Sequence, residues 1–377
     1  MTNPEIRGIE LRTMLQSDET ILLSLEDVVL GAPEADEVVV RVQAAPLNPS
    51  DLALLLGPGD LSTMVRSGTA ERPRLTLSLP PGRGAALAAR LGQSLPAGNE
   101  GAGVVIRAGA AAASLLGKTV AMLGGAMYTQ YRRLKARDCV MLPDGVAARE
   151  GASLFVNPLT SLAMVETMRL EGHTALVHTA AASNLGQMLN RICLADGIAL
   201  VNIVRSEGQA DLLRSLGAPI VLDSATPDFA AALADAVART GATLAFDAIG
   251  GGTMANSILY VMEAAASRNA TAYSRYGSSV HKQVYIYGML DTGPTFLDRG
   301  FGFSWSVSGF LLTPFLARLG REGVERLRAR VLRELKTTFA SHYTHTISLA
   351  EALGPAVVLE YAKKATGRKY LIDPSRE

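Results

Sequence analysis

Hydrophobic and polar residues alternate along the first part of the chain with the period of two that is typical of β-strands. The runs at 20–25 (Thr-Ile-Leu-Leu-Ser-Leu) and 37–43 (Glu-Val-Val-Val-Arg-Val-Gln) show it most plainly. Between Glu100 and Pro143, short apolar runs such as Gly103–Arg107 and Lys118–Gly124 are punctuated by glycine. We therefore predict an all-β, barrel-like domain in this region.

From Glu150 onward the pattern changes, and short apolar runs alternate with segments of helical period. The predicted strands are 176–178, 198–204, 220–223, 244–249 and 284–287. The predicted helices include 208–216, 229–239 and, further on, 322–340. Strands separated by helices of this length predict a parallel, doubly wound sheet. A late strand, Arg368–Asp373, is expected to return to the first domain.

This change of pattern predicts two domains, and 377 residues are enough for both. The β domain is expected to cover 1–157 with a C-terminal return over 313–377, and the α/β domain to cover 158–312. The segments 61–95 and 264–282 interrupt this plan. Each is interpreted either as a lid over a site or as surface elaboration.

Composition excludes several classes of function. The 36 Lys and Arg residues nearly balance the 35 Asp and Glu residues, so no global field attracts nucleic acid or an anionic membrane. No run of eighteen apolar residues and no apolar N-terminal signal segment is present. Two cysteines make no disulfide framework. We expect a cytoplasmic protein that binds neither nucleic acid nor membranes.

The segment 174–189 predicts a dinucleotide-binding crossover. An apolar strand, a turn of small residues and a helix start follow one another, and a second strand at 201–205 comes about one βαβ unit later. Of the three usual glycines only the last is present, as Gly186, while Ala181 and Ser183 occupy the other two positions. A plain strand–turn–helix with small residues for packing is the alternative. Ser183 and Asn184 are expected to donate hydrogen bonds to the phosphates.

The end of the second strand distinguishes the two dinucleotides. A carboxylate there holds the ribose hydroxyls of NAD, whereas a cation pairs with the 2′-phosphate of NADP. Arg205 stands at this position and Ser206 offers a hydroxyl to the same phosphate. Glu207, two residues on, could instead serve the ribose of NAD, and Arg205 could be an ordinary surface arginine. NADPH is the predicted cofactor.

Six motifs in order extend this interpretation to nearly the whole chain. They are Leu47–Asp51, Pro96–Gly103, Val156–Thr160, Ala180–Gly186, Phe246–Gly251 and Val307–Phe310. Together they resemble the zinc-less branch of the medium-chain dehydrogenase/reductase superfamily, which includes NADPH:quinone oxidoreductases and 2-enoyl thioester reductases. The resemblance implies a GroES-like β-barrel catalytic domain and a Rossmann domain with a doubly wound parallel sheet. It also implies a homodimer formed through the sixth strand of that sheet.

Zinc-dependent relatives have a cysteine in the first motif and a histidine in the second. The positions that correspond in this chain are Asn48 and Asn99. A catalytic zinc needs three protein ligands around an open position. Cys139 and Cys193 lie beside no motif, and His342-Tyr-Thr-His345 lacks a third ligand. We predict no metal.

The resemblance also implies two residues near the nicotinamide. The amide of Asn48 is expected to stabilise the acceptor oxygen, and Thr160 to hold the nicotinamide ribose or phosphate. The alternative for both is structural, as turn and helix-start residues, and Asp51 is expected to cap a helix. The predicted cofactor contacts lie at the first turn and at the ends of later strands: Thr179, Ala181, Ser183, Asn184, Leu185, Gly186, Arg205, Ser206, Gly250, Tyr287 and Gly288.

The predicted function is metal-free hydride transfer from NADPH to a small-molecule electron acceptor, a quinone or another electron-poor conjugated carbonyl. A 2-enoyl thioester reductase is the nearest alternative. That branch has a tyrosine shortly after the Asn-Pro-x-Asp motif, and residues 52–60 contain none. A protein that binds NADPH without turnover is the second alternative.

Overall fold

A computed structural model describes residues 5–268 and 272–376. The chain divides into two compact units. The first runs to Val156 and resumes at Leu335, and the second is Asn157–Glu334.

The N-terminal part of the first unit, up to Val156, is built mainly of strands. Its elements are β1 (Ile6–Leu15), β2 (Thr20–Leu30), β3 (Glu37–Pro46), α1 (Pro49–Leu55), β4 (Val65–Gly68), β5 (Pro73–Ser78), β6 (Leu95–Pro96), β7 (Glu100–Ala108), β8 (Thr119–Leu123), β9 (Tyr131–Lys135), β10 (Cys139–Met141) and α2 (Ala148–Gly151). Short 3₁₀ turns lie at Leu61–Thr63, Ala85–Arg90, Ala110–Leu115 and Ala136–Asp138.

Strands and helices then alternate through the second unit. The elements are α3 (Val156–Leu170), β11 (Ala175–His178), α4 (Asn184–Asp196), β12 (Ala199–Val204), α5 (Glu207–Ser215), β13 (Val221–Asp223), α6 (Phe229–Thr240), β14 (Leu244–Asp247), β15 (Gly250–Gly252), α7 (Met254–Arg268), β16 (Lys282–Ile286), β17 (Asp291–Thr295), β18 (Trp305–Gly309) and α8 (Leu312–Arg333). The return to the first unit contains β19 (His345–Ile347), a 3₁₀ turn (Glu351–Leu353), α9 (Pro355–Ala362) and β20 (Tyr370–Ile372).

The second unit contains a parallel sheet of strand order β13-β12-β11-β14-β16-β18. The chain enters at β11 in the middle, builds outward to β13, and then returns to build the other half from β14. Ligands of such sheets bind where the order reverses, outside the carboxyl ends of the strands. That switch point lies between β11 and β14. Residues of α6 and α7 cover the sheet in one apolar cluster, among them Leu233, Val237, Ile258 and Leu259.

The first unit contains two sheets, of order β4-β5-β2-β1-β6 and β10-β8-β7-β3-β20-β19, with β9 also pairing β3. Most pairs are antiparallel, and the predicted alternation of apolar residues puts Ile21, Leu23, Val40 and Val42 in its core. The late strand does return here, since β20 pairs antiparallel with β3. The predicted fold class, a GroES-like β domain with a Rossmann domain, is therefore confirmed.

The segment 61–95 belongs to the first sheet and is not a lid. Strand β5 pairs with β2 on one side and β4 on the other. Its Leu75 and Leu77 are fully buried in the core of the unit. The segment 264–282 lies partly outside the described residues. Its first residues extend α7, and Lys282 begins β16.

The return to the first unit begins later in the chain than the predicted position 313. Helix α8 starts at Leu312, ten residues before the predicted 322, and it belongs to the second unit. Ion pairs join α8 to two other helices of the second unit. Arg326 of α8 donates to Glu166 of α3 at 2.7 Å, and Arg330 donates to Asp196 of α4 at 2.8 Å.

Candidate functional site

The turn between β11 and α4 forms the centre of the candidate cofactor site. Ser183 is the N-cap of α4, and its Oγ accepts from the backbone N of Gly186 at 3.1 Å. A hydroxyl that accepts in this way keeps its own hydrogen to donate. Ala180 takes a left-handed conformation (φ 50°), and Ala181 donates its N–H to the carbonyl of Ile203 in β12 at 3.1 Å. The turn thereby brings the N-terminus of α4, which favours anions, to the carboxyl end of the sheet.

Gly186 is the position in this turn that tolerates no side chain. A Cβ added there would lie 2.2 Å from the carbonyl oxygen of Ala181. The first turn of α4 therefore packs backbone to backbone on the preceding residues. Ala181 is fully buried, so its methyl group already fills the place of the first fingerprint glycine. This geometry explains why position 186 requires a glycine.

Asp247 accepts several hydrogen bonds at the switch point between β11 and β14. It was not singled out as a site residue from the sequence. It ends β14, is fully buried, and accepts from Thr179 Oγ1 at 2.6 Å and from the backbone N of Ile249 and Gly250 at 3.0 and 3.1 Å. Thr179 Oγ1 also accepts from the backbone N of Ala248 at 2.8 Å. The Thr179 side chain thus links the ends of β11 and β14. A contact of Thr179 with cofactor stays a prediction.

Gly250 and Gly288 allow the two backbone segments that follow β14 and β16 to approach each other closely. Gly250 has φ +85°, and a Cβ on Gly288 would meet the carbonyl oxygen of Ala248 at 2.6 Å. Thr295 of β17 donates its hydroxyl to the Gly250 carbonyl at 2.7 Å. Both predicted positions therefore lie on one narrow stretch of the carboxyl edge.

Tyr287 meets a buried histidine that sequence reasoning missed. Its hydroxyl lies 2.8 Å from His178 Nε2, and the two rings stack with centroids 5.7 Å apart. Burial lowers the pKa of His178 to about 3, so the imidazole is neutral. The hydroxyl of Tyr287 is thus engaged inside the unit.

Arg205 follows β12 directly and is exposed. Its backbone N donates to Gln209 Oε1, but its guanidinium makes no hydrogen bond or ion pair with any residue of the described chain. Ser206, also exposed, is the N-cap of α5. Glu207 pairs with Arg214 at 2.5 Å. Glu207, the alternative partner for the ribose of NAD, therefore already has a partner in Arg214. The guanidinium of Arg205, which favours NADP, has none among the described residues.

A cavity of about 700 Å³ opens at the ends of β16 and β18. Aromatic side chains dominate its lining, namely Tyr285, Tyr287, Phe310 and Phe315, and Arg318 stands beside them. Phe310 packs edge-on against Tyr285 with centroids 5.5 Å apart. The cavity therefore offers flat apolar surfaces beside the predicted cofactor residues Tyr287 and Gly288.

Asn48 lies in the first unit and is almost fully buried. Its Nδ2 donates to Glu100 Oε1 at 2.8 Å, and its backbone N donates to Asp51 Oδ2 at 2.8 Å. Asp51 also accepts from the backbone N of Asn99. Burial raises the pKa of Asp51 to about 7 although these N–H donors oppose it. Asp51 caps the start of α1, as expected.

Thr160, the other predicted catalytic residue, lies on α3 and is buried with 9% of its surface exposed. The predicted cofactor residues all belong to the second unit, as does Thr160, whereas Asn48 belongs to the first. Their roles stay predictions. Asn99 donates its side-chain N–H to Ser50, and His345 of β19 stacks on Tyr370 of β20.

In the part of the chain that the structure describes, no group of three or more His, Cys, Asp or Glu residues is arranged to hold a metal ion. A search of the helices over the same residues finds none with the length and hydropathy needed to cross a membrane.

Similarity to known proteins extends over the whole chain in structure and over half of it in sequence. A protein from Mesorhizobium loti described as an NADPH:quinone reductase is 26% identical, with TM-score 0.72, covering 99% of this chain and 100% of that one. Escherichia coli quinone oxidoreductase, solved with NADPH, has TM-score 0.68 at 17% identity, covering 98% and 100%. The likeness at 17% shows the fold alone.

Among curated proteins, the mitochondrial enoyl-[acyl-carrier-protein] reductase of Rattus norvegicus is 27% identical over 215 residues, or 54% of this chain and 50% of that protein. The chain thus spans about half the length of the curated relatives it matches. No protein-family model matches the chain. The resemblance predicted from the motifs is confirmed, because the structural neighbours are quinone and enoyl reductases of the medium-chain dehydrogenase/reductase superfamily.

Proposed function

We propose that this chain, a structural neighbour of the quinone and enoyl reductases, is an NADPH-dependent oxidoreductase. It transfers hydride, without a metal, to a quinone or another electron-poor conjugated carbonyl. The observation that carries the proposal is the carboxyl edge of the parallel sheet. There a helix N-terminus, a glycine without room for a side chain and an unpaired arginine follow one another.

The residues at this edge fit the chemistry of NADPH, which supplies the hydride when bound. Gly186 leaves space for a pyrophosphate to approach the backbone, and the hydroxyl of Ser183 and the amide of Asn184 can donate to its oxygens. Arg205 and Ser206 suit the 2′-phosphate, because a guanidinium matches phosphate geometry with paired donors. Leu185, Gly250, Tyr287 and Gly288 complete the set of proposed cofactor contacts, with Thr179 and Ala181 supporting the turn.

Asn48 and Thr160 are the proposed catalytic residues. The Asn48 amide is the proposed donor to the acceptor oxygen, and its bond to Glu100 fixes its position. A fixed donor aimed where negative charge develops stabilises the transition state without reorganisation. Thr160 is proposed to hold the nicotinamide ribose or phosphate. The second proton of the reduction is proposed to come from water.

Two observations favour a quinone as the acceptor. The cavity at β16 and β18 is lined by aromatic rings that suit a flat, electron-poor molecule. Residues 52–60 contain no tyrosine, and the first tyrosine in the chain, Tyr128, is fully buried with its hydroxyl bonded to the Pro46 carbonyl. The alternative is reduction of a 2-enoyl thioester, which the rat enoyl reductase relative favours.

Oxidation of NADPH, followed at 340 nm with a panel of quinones and with an enoyl thioester, tests the proposal. We expect turnover with quinones. Turnover confined to the enoyl thioester favours the alternative. Cofactor binding without oxidation in either panel contradicts both and identifies a binding module.

Replacing Arg205 by alanine is expected to raise the KM for NADPH by about tenfold to a hundredfold, because a charge-assisted hydrogen bond contributes roughly 1.5–3 kcal/mol. The KM for NADH should change by less than about twofold, since NADH lacks the 2′-phosphate. Arg239→Ala, which removes an exposed arginine from the last turn of α6, is the control. Equal effects on both cofactors rule out the assignment of Arg205.

We also propose a homodimer formed through β18. This strand ends the parallel sheet, and within the described chain it pairs only with β16. Phe303, two residues before this strand, is 82% exposed. An open strand edge beside exposed apolar residues is typical of an interface between strands. Sedimentation velocity distinguishes a dimer from a monomer.

A further inference from the structure

Glu100 is a fully buried carboxylate in the first unit with three hydrogen-bond partners. Its Oε1 accepts from Asn48 Nδ2 at 2.8 Å. Its Oε2 accepts from the backbone N of Phe155 and of Val156, each at 2.9 Å. Glu100, at the start of β7, thereby links the side chain of Asn48, which follows β3, to the backbone at the beginning of α3.

All three partners of Glu100 are donors, and this favours the ionised form. A proton on either oxygen would point at an N–H group and would leave a hydrogen bond unmade. Burial raises the pKa of Glu100, while the Val156 N–H and nearby Lys369 lower it. Lys369 donates to Ser153 Oγ at 2.9 Å, and burial lowers its pKa to about 8. The cluster therefore holds an anion and a cation together inside the unit.

The anion determines which way the Asn48 amide faces. A rotation of this amide by half a turn would place Oδ1 against the Glu100 carboxylate, which repels it. The amide nitrogen is therefore held toward Glu100. The hydrogens that Asn48 can donate are then fixed in direction, as a preorganised donor requires.

The same carboxylate holds the start of α3. The first N–H groups of a helix have no partner inside the helix, and Phe155 and Val156 supply two N–H groups at this point. A carboxylate here is also favoured by the helix dipole. Glu100 thus bonds both to Asn48 and to the backbone of Phe155 and Val156, which fixes the carboxylate that the amide faces.

We propose that Glu100 is a positioning residue, which holds the Asn48 amide in one orientation and so preorganises its donation to the acceptor. This inference rests on the proposed function. Glu100 itself need not contact cofactor or acceptor. Buried ionic groups contribute little to net stability compared with apolar residues of similar volume, so a role in orientation accounts for their presence here.

Glu100→Gln tests the proposal because a glutamine cannot satisfy this arrangement. Its single carbonyl oxygen can serve either Asn48 or the backbone of Phe155 and Val156, and its NH2 group then faces a donor on the other side. We expect kcat for quinone reduction to fall by about tenfold to a hundredfold, less than the roughly hundredfold to thousandfold cost of removing such a donor. The KM for NADPH should change by less than about twofold. Adding Asn48→Ala to Glu100→Gln should lower kcat no further than Asn48→Ala alone.

Glu263→Gln is the matched control, since Glu263 is also a buried carboxylate with several donors but lies beside Lys282 and Ser278. It should lower the Tm at least as much as Glu100→Gln and leave kcat unchanged. A kcat loss in both variants in proportion to Tm would assign Glu100 a purely structural role. Additive losses in the double variant with Asn48→Ala would also overturn the proposal.

The side-chain amide signals of ¹⁵N-labelled asparagine provide a readout that does not depend on turnover. In the wild type we expect one Asn48 Nδ2 hydrogen to be shifted and protected by the carboxylate, and to lose both properties in Glu100→Gln. An unchanged Asn48 signal overturns the proposal. If the wild type reduces no acceptor, the proposed function fails, and the Asn48 signal still decides whether Glu100 orients the amide.

Discussion

Replacing Gly186 by alanine is expected to disrupt the turn between β11 and α4, the proposed pyrophosphate site, more than any other single methyl group added to the chain. The new Cβ would stand 2.2 Å from the Ala181 carbonyl oxygen and 2.6 Å from its carbonyl carbon. Backbone atoms on both sides must move, and overpacking of this kind costs about 1–3 kcal/mol of stability. Movement of the turn also removes N–H groups from the proposed pyrophosphate position. The loss of two such bonds weakens NADPH binding by about a hundredfold.

Titration of NADPH fluorescence and thermal unfolding measure the two effects. Gly208→Ala is the control, because Gly208 lies in α5 with no atom within 4 Å of an added Cβ. Alanine is favoured over glycine in a helix by about 0.5–1 kcal/mol, so this variant should bind NADPH normally and unfold at a slightly higher temperature. Normal NADPH binding by Gly186→Ala would contradict the placement of the pyrophosphate at this turn.

Much of the second unit could be predicted because its signals are local. Each parallel strand is a short apolar run between helices, and the observed strands differ from the predicted ones by one to two residues, as in Ala199–Val204 against 198–204. The small-residue turn and Arg205 were also visible in the sequence, because they stand at fixed offsets from β11 and β12.

Helix α8 was predicted to start too late because its pattern is interrupted. Gly320 has φ +77° and breaks the helical geometry, so α8 consists of two helical segments joined at a kink. Pro314 lies near its start as well. A glycine with left-handed backbone resembles a helix end in sequence, so the pattern favoured only the second segment.

The first unit was harder to predict because its partners are distant in the chain. Strand β1 was not predicted, and β5 was hidden in a segment rich in Gly, Pro, Arg and Ala. The bonds that organise the candidate sites join residues far apart, such as Asn48 with Glu100 and Thr179 with Asp247. Sequence showed these residues inside motifs, but which atom bonds to which follows only from the folded chain.

Removing one partner of the ion pair between Glu263 and Lys282 should strongly destabilise the second unit. Lys282 is fully buried, and its Nζ donates to Glu263 Oε2 at 2.5 Å and to the Val280 carbonyl at 2.9 Å. Glu263 also accepts from the backbone N and the Oγ of Ser278, each at 2.7 Å. These bonds join α7 to the start of β16 and hold the described end of the segment 264–282.

Lys282→Met is expected to lower the free energy of unfolding by about 3–5 kcal/mol, because it leaves the Glu263 carboxylate buried without its cation. Urea unfolding at neutral pH measures the loss. Replacing both residues, as Glu263→Leu with Lys282→Met, should recover part of it, since no unpaired charge is then buried. Ser278 and Val280 still lose their partners, so recovery should be incomplete. A double variant less stable than Lys282→Met would contradict this account.

The same pair predicts a specific dependence of stability on pH. Burial alone would raise the pKa of Glu263, but the Lys282 and Ser278 donors outweigh it and lower the pKa to about 2. A carboxylate with a depressed pKa stabilises the fold fully above its unfolded pKa, and the stabilisation is lost as pH falls toward the folded pKa. We therefore expect stability to fall as the pH is lowered from about 4.5 to about 2. Glu263→Gln should lack this component, because glutamine does not titrate. An identical acid transition in the two proteins would show that Glu263 is not the group responsible.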